Sequence, residues 1–156
     1  MIPAPVIGLA AAREAEWIAA VSRDSIEQGL GWRWTPHRIR KAMADPAINV
    51  AVARARNVPV GFALMHYKDD EAHLLLFAVD AERRRAGVGS ALLRWLEDAA
   101  LVAGIGVVYV EARARNEPGR AFYGRHGYRE IALVRGMYAR GGHVEDGVRF
   151  AKDLWA

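Results

Sequence analysis

Apolar positions along the chain alternate between helical and strand spacing. Residues 11–23 have helical composition. A second helix is predicted to start at the cap Thr35, with Pro36 at the first helical position, and to run to about residue 44, where Asp45-Pro46 ends it. Between the two lies Gly29-Leu30-Gly31-Trp32-Arg33-Trp34, a loop with two tryptophans. Strand-like runs at residues 49–54 and 61–67 flank a turn at Asn57-Val58-Pro59 and predict a hairpin. Lys68-Asp69-Asp70-Glu71 is a polar turn. Residues 73–79, HLLLFAV, follow as a continuous apolar run, expected of a central strand buried on both faces.

The period then changes. From residue 89 to 103, Leu92, Leu96, Ala99 and Ala103 fall on one helical face with Leu93 and Ala100 beside them, and Gly104-Ile105-Gly106 closes the helix. Residues 107–114, VVYVEARA, read as the next strand. Asn116-Glu117-Pro118 supplies a cap, a first-turn acid and an early proline for a short helix to about residue 125, with Gly127 as its stop. Two last strands, 129–138 and 147–154, are predicted around a Gly-rich loop, ARGGHVEDG. The order of elements defines one mixed α/β domain over residues 1–156.

Composition narrows the classes. The chain has 156 residues, 53% hydrophobic and 26% charged, as expected of a globular domain with a core. Without cysteine there is no disulfide framework, and the five histidines stand at no metal-ligand spacing, so no metal site is expected. Arg13 and Glu14 interrupt the first apolar stretch, so no signal peptide is expected, and no apolar run reaches membrane-spanning length. The cytoplasm is the expected compartment. A net charge of +4 suits an anionic ligand.

Chemistry concentrates in two stretches. Arg83 to Leu93 reads RRRAGVGSALL: a strand feeds three arginines and a Gly-rich turn that opens a helix. The first turn of a helix carries N–H groups without internal partners and the positive end of the dipole, which suits an anion. The spacing is neither G-x-G-x-x-G nor a P-loop. A solvated turn accounts for it equally well. The second stretch, residues 111–128, reads EARARNEPGRAFYGRHGY. It places Glu111 in an otherwise apolar strand, either as a working carboxylate or as an exposed residue paired with Arg113 two positions on.

Arg84-x-x-Gly87-x-Gly89 resembles the acyl-CoA pyrophosphate motif of the GNAT superfamily of N-acetyltransferases. Glu111-x-Arg113-x-x-Asn116, then Ala121-Phe122-Tyr123, then Gly127-Tyr128, is similar to the C-terminal motif of that superfamily, in its RimI-like branch. That branch acetylates the N-terminal alanine of a ribosomal protein. The resemblance runs from about residue 74 to 128 and fades on both sides.

The resemblance implies a strongly twisted sheet, splayed between two central strands and flanked by helices, with acetyl-CoA in the splay as co-substrate. Phe77, Ala78 and Val79 would bond the pantetheine through their backbone, with the Val79 N–H polarising the thioester carbonyl. Arg84, Arg85, Ala86, Gly87, Val88, Gly89 and Ser90 would wrap the pyrophosphate. Asn116 would bond the co-substrate from the other side, cap its helix, or do both. Glu111 would be the general base, since an amine attacks only when neutral, and Tyr123 the acid that protonates the leaving thiolate.

Trp32, Arg33 and Trp34 are candidates for an acceptor wall, although packing of the loop explains the tryptophans as well; Tyr138, which with Glu145-Asp146 is similar to the tail of the branch, is a further candidate. The last strand, GVRFAKDL, departs from the more apolar ending of the branch. A protein or peptide N-terminus, a lysine or a small amine all remain open as acceptor, and so does a homodimer. Two other classes stay in view: a non-catalytic acyl-CoA sensor on the same fold, and a basic nucleic-acid-binding domain. The second lacks any helix-turn-helix or RRM-like pattern.

Overall fold

The computed structural model describes residues 4–83 and 87–156. Its seven strands are β1 (Val6–Leu9), β2 (Ile48–Ala55), β3 (Val58–Lys68), β4 (Glu71–Val79), β5 (Val107–Arg113), β6 (Arg129–Arg140) and β7 (His143–Asp153). They form one sheet in the order β1-β2-β3-β4-β5-β7-β6. Every pairing is antiparallel except β4 with β5. The helices are α1 (Ala15–Val21), α2 (Pro36–Ala44), α3 (Val88–Val102) and α4 (Glu117–Arg125). No helix of the described residues is long and apolar enough to cross a membrane.

The sheet is a middle layer with helices on both faces. One core packs Leu92, Leu93 and Leu96 of α3 and Tyr123 of α4 against Val108, Val110 and Phe150. The other packs Ile18 of α1 and Ile39 of α2 against Val52, Phe62 and Leu64. Truncating one of these wholly buried leucines to alanine costs about 2–5 kcal/mol. The buried face of α3 is Val88, Leu92, Leu93, Leu96 and Ala100. Ala103, expected on it, is exposed at the C-cap, where the helix has already ended.

Several turns differ from expectation. The β2–β3 hairpin turns on Arg56 and Asn57, both with positive φ (53° and 66°), and not on residues 57–59. Two positive φ values match the twist of a tight two-residue hairpin, and Asn tolerates that region. Val58 and Pro59 already pair with Ala55 and Arg54. The Gly-rich stretch near residue 141 is likewise a two-residue turn: Gly141 and Gly142 have φ of 53° and 82°, and Arg140 faces His143 directly. The last two strands are therefore longer than predicted. Strand β1 was not anticipated at all; its Val6 and Leu9 are exposed, so no clear alternation marks it.

The central strand β4 is not buried on both faces along its length. Leu64 pairs with Leu76 while Met65 pairs with Leu74, so Leu75 is an extra residue in a β-bulge. The bulge shifts the alternation by one. Ala72 and Leu74 therefore enter the core under α3, whereas Leu76 and Ala78 enter the core under α1 and α2. The unbroken run LLLF encodes this change of face.

Candidate active site

The parallel pairing of β4 with β5 lasts four residues, from Glu71↔Val107 to Leu74↔Val110. Beyond it β4 stays with β3 as far as Gly61↔Val79, and β5 stays with β7 as far as Arg113↔Gly147. The two strands part at the Leu75 bulge, where added twist turns β4 away. Among the described residues the edge of residues 75–79 facing the gap has no strand partner, which suits its main-chain groups to a ligand. Phe77, Ala78 and Val79 lie on this edge.

The N-terminus of α3 abuts the outer end of the gap. Gly87 is its N-cap with φ of 80°, a left-handed conformation that glycine adopts without a Cβ clash. Gly89 serves a different purpose. A Cβ there would stand 3.1 Å from Cε1 of Phe122, so its absence lets α3 and α4 approach. Ser90 Oγ bonds His126 Nε2 at 2.9 Å, and His126 Nδ1 bonds the Phe122 carbonyl at 2.9 Å, tying the two helix ends together. Val88 is buried against Ala53, Ala55 and Val60. Arg84, Arg85 and Ala86 lie outside the described residues. Asn116 is exposed and caps α4, its Oδ1 accepting the Gly119 N–H at 3.1 Å.

Tyr123 projects from α4 into the core beneath the gap. Its ring contacts those of Phe77, Phe122, Tyr128 and Phe150, with centroids 5.5 to 6.2 Å away. The residue is only 7% exposed. Its hydroxyl has no hydrogen-bond partner among the described residues, where no fully buried side-chain N or O atom lacks one. The ring is thus packed among four aromatic neighbours. Burial raises the phenol pKa above its ordinary value, and Tyr138 adds to the effect.

On the opposite face of β5 is Glu111. It pairs across the strand with Arg149 of β7, not with Arg113. Arg149 Nη2 and Nε both bond Oε2, at 2.6 and 3.0 Å, leaving Oε1 without a partner among the described residues. Glu111 opens onto a cleft of about 570 Å³ beside Leu74 and Leu75, where β4 and β5 begin to part. Tyr138 lines the same cleft. Burial and then the Glu111 charge push its phenol up to about 12.

Arg113 instead chelates Glu145 and donates through Nη1 to the carbonyls of Gln28 and Ile26. This fastens the α1–α2 loop to β5. The loop is organised by Glu27, a carboxylate only 4% exposed that no sequence motif marked. It accepts from the Ser22 hydroxyl at 2.9 Å and from the backbone N–H groups of Arg33 and Trp34 at 2.7 and 3.3 Å. Trp34 thereby lines the cleft. Trp32 does not: its indole N–H donates to the Ala19 carbonyl on α1 at 3.1 Å, with Arg23 over its ring. Trp32 is tied to α1 and remains 41% exposed.

A mixed sheet that parts between two parallel central strands, with a helix N-terminus at the opening, has the architecture of a GNAT-type domain. The chain belongs to the acetyltransferase (GNAT) family, whose sequence pattern matches residues 10–128. It is 34% identical over 90 residues to the ribosomal protein bS18 alanine N-acetyltransferase of Escherichia coli, a match covering 58% of this chain and 61% of that protein. It is 31% identical over 109 residues to the N-alpha-acetyltransferase RimI of Mycobacterium tuberculosis, covering 67% of each. Its fold is similar to that of a paia N-acetyltransferase from Thermoplasma acidophilum, solved in complex with coenzyme A. The TM-score is 0.80 at 16% identity, over 97% of this chain and 99% of that one.

Proposed function

We propose that this protein transfers the acetyl group of acetyl-CoA to the α-amine of a protein or peptide N-terminus. One observation carries the proposal: the parting of β4 and β5 sets Glu111 on one face of the opening and Tyr123 on the other. The fit to acetyl-CoA rests on the unpaired edge of residues 75–79 and on the free N–H groups at the start of α3. Bound there, acetyl-CoA supplies an activated thioester carbonyl and a thiolate leaving group.

The chain's own residues divide the proton work. Oε1 of Glu111, not engaged by Arg149, takes the proton of the incoming ammonium directly or through one water. Arg149 holds the carboxylate in orientation. The neutral amine adds to the thioester carbonyl and the C–S bond breaks. The Tyr123 hydroxyl, kept protonated by burial, donates its proton to the departing sulfur and is restored through solvent by the second proton that the nitrogen sheds as the amide forms. Phe77 to Val79 and the turn at Gly87 to Ser90 bind and orient the co-substrate, joined by Asn116 where its capping bond leaves the amide nitrogen free.

An α-amine suits this arrangement better than lysine. Its pKa of roughly 7.7–8.0 leaves roughly one molecule in ten neutral at pH 7, against fewer than about one in 10³ for lysine near 10.4. The names of the two relatives point the same way.

The test is a thermal-shift titration with acetyl-CoA followed by thiol release on a panel of peptide N-termini, lysine side chains and small amines. A rise in Tm with acetyl-CoA and preferential turnover of α-amines are expected. Absence of any shift at millimolar acetyl-CoA refutes the co-substrate assignment, and binding without turnover of any amine indicates the non-catalytic sensor.

A further inference from the structure

The acceptor cleft carries more positive than negative charge, and its charges are unequally partnered. Four guanidinium groups line it, those of Arg33, Arg38, Arg140 and Arg149, against the carboxylates of Glu71 and Glu111. Both carboxylates are engaged, Glu71 by His73 at 2.9 Å and Glu111 by Arg149. Glu27, behind the wall, is taken up by Ser22 and two backbone N–H groups, with Arg140 no closer than 3.9 Å. Among the described residues, no carboxylate pairs with the guanidinium groups of Arg33 or Arg38.

The guanidinium groups of Arg38 and Arg140 are held by contacts, and Arg33 is carried on a pinned backbone. Arg38 lies over the Trp34 ring, 4.1 Å from its centroid, which fixes the guanidinium plane while leaving its N–H groups available. The backbone of Arg33 is pinned by Glu27 at 2.7 Å. Arg140 donates to the Leu30 carbonyl at 3.2 Å. Arg33, Arg38 and Arg140 line one cleft, and burial with the charges of Arg33 and Arg38 lowers the Arg140 pKa against the opposing pull of Glu27. Such a cluster is relieved by an anion, and a planar guanidinium binds a carboxylate through two parallel hydrogen bonds.

Taking the cleft as the acceptor site, as proposed above, we infer that it selects an acidic N-terminal segment. A glutamate or aspartate within the first few residues behind the reacting amine docks on Arg33 and Arg38, with Arg140 reinforcing their field. The reacting amine itself is cationic before it meets Glu111, so the site recognises a dipolar segment: positive at its tip and negative behind it. A run of lysines or arginines in those positions is repelled.

The experiment uses three peptides that share an N-terminal alanine and differ only in the next three residues: three glutamates, three serines or three lysines. Binding to the protein is measured with and without saturating coenzyme A, and thiol release is read in parallel with acetyl-CoA. The acidic peptide is expected to bind at least about tenfold tighter than the lysine peptide, with the gap narrowing in 0.5 M salt as exposed charges are screened. The double variant Arg33→Glu/Arg38→Glu is expected to reverse the order. If circular dichroism shows that variant unfolded, Arg33→Gln/Arg38→Gln is expected to abolish the preference. Equal binding of the three peptides, or preference for lysine, overturns the inference whether or not any peptide is acetylated. Absence of turnover on every peptide bears instead on the acetyl-transfer reading.

Discussion

Arg113 grips Glu145 through two parallel hydrogen bonds, Nε to Oε1 at 2.7 Å and Nη2 to Oε2 at 2.6 Å. Its third nitrogen reaches the carbonyls of Ile26 and Gln28 in the α1–α2 loop. One side chain therefore joins three elements that are distant in sequence: the α1–α2 loop, β5 and β7.

The joint sets a pH dependence of stability. Hydrogen bonding from Arg113 first, with His143 and Arg115 adding to it, holds the Glu145 carboxyl down at about 2, against an ordinary value of 4.5. A depressed carboxyl contributes stability that is fully present above its unfolded pKa and lost as pH falls through its folded pKa. Glu145→Gln is expected to cost roughly 1–3 kcal/mol at pH 7, because Arg113 loses a charged acceptor. The cost should shrink as pH is lowered from about 4.5 toward 2. Denaturant melts of wild type and variant between pH 7 and 3 check this; a gap that stays constant with pH would mean that Glu145 packs without pairing.

Glu27→Ala separates binding of the acceptor from binding of acetyl-CoA. The change leaves the Ser22 hydroxyl and the N–H groups of Arg33 and Trp34 without their acceptor. Each such loss costs about 1–3 kcal/mol where water cannot substitute. The wall carrying Arg33 and Trp34 should loosen, raising KM for the acceptor peptide about tenfold or more. The acetyl-CoA thermal shift, which depends on the far side of the sheet, should be kept. Loss of both together would place Glu27 in the global core.

Glu111→Gln should lower kcat/KM about 10²–10⁴-fold near neutral pH. The loss should diminish above about pH 8, where α-amines are already neutral. Its Tm should change little, because Glu111 and Arg149 are each 44% exposed and such pairs contribute about 0–1 kcal/mol. A pH–rate profile of wild type and variant on one peptide is the measurement. A variant that matches wild type at pH 6 assigns the proton to another group.

Tyr123→Phe removes a hydroxyl that has no partner among the described residues and keeps a ring that touches four others. Folding and acetyl-CoA binding should survive, and the loss should fall on kcat, as for a group that acts only while the thiolate departs. Because burial raises this phenol and holds Tyr138 at about 12, wild-type kcat should show no tyrosine-linked decline below about pH 10. Pre-steady-state thiol release on both proteins checks both points. An equal fall in acetyl-CoA affinity would mark Tyr123 as a binding residue.

Much of this protein was determined by neighbours in sequence. The capping of α4 by Asn116 spans three residues, and the left-handed start of α3 needs only Gly87. The turn-and-helix motif around Gly87 to Ser90 and the run from Glu111 to Tyr128 are likewise short-range, so they identified the family and pointed to the splay. Local signals survive because a cap or a positive φ depends on a few consecutive residues, whatever the rest of the chain does.

Pairings across the sheet had no such signature. Glu111 looked equally ready to pair with Arg113 two residues away; the register of β5 against β7 brought Arg149 instead, 38 positions on. Leu75 was one leucine among three until the pairing of β3 with β4 made it the bulge at which the sheet divides. Trp32 and Trp34 were indistinguishable until Glu27 fixed the loop and the Ala19 carbonyl drew one indole away. Register is set by burial summed over whole strands, and a shift of one residue exchanges the two faces. The identity of the groups facing the cleft was therefore decided by the assembled sheet.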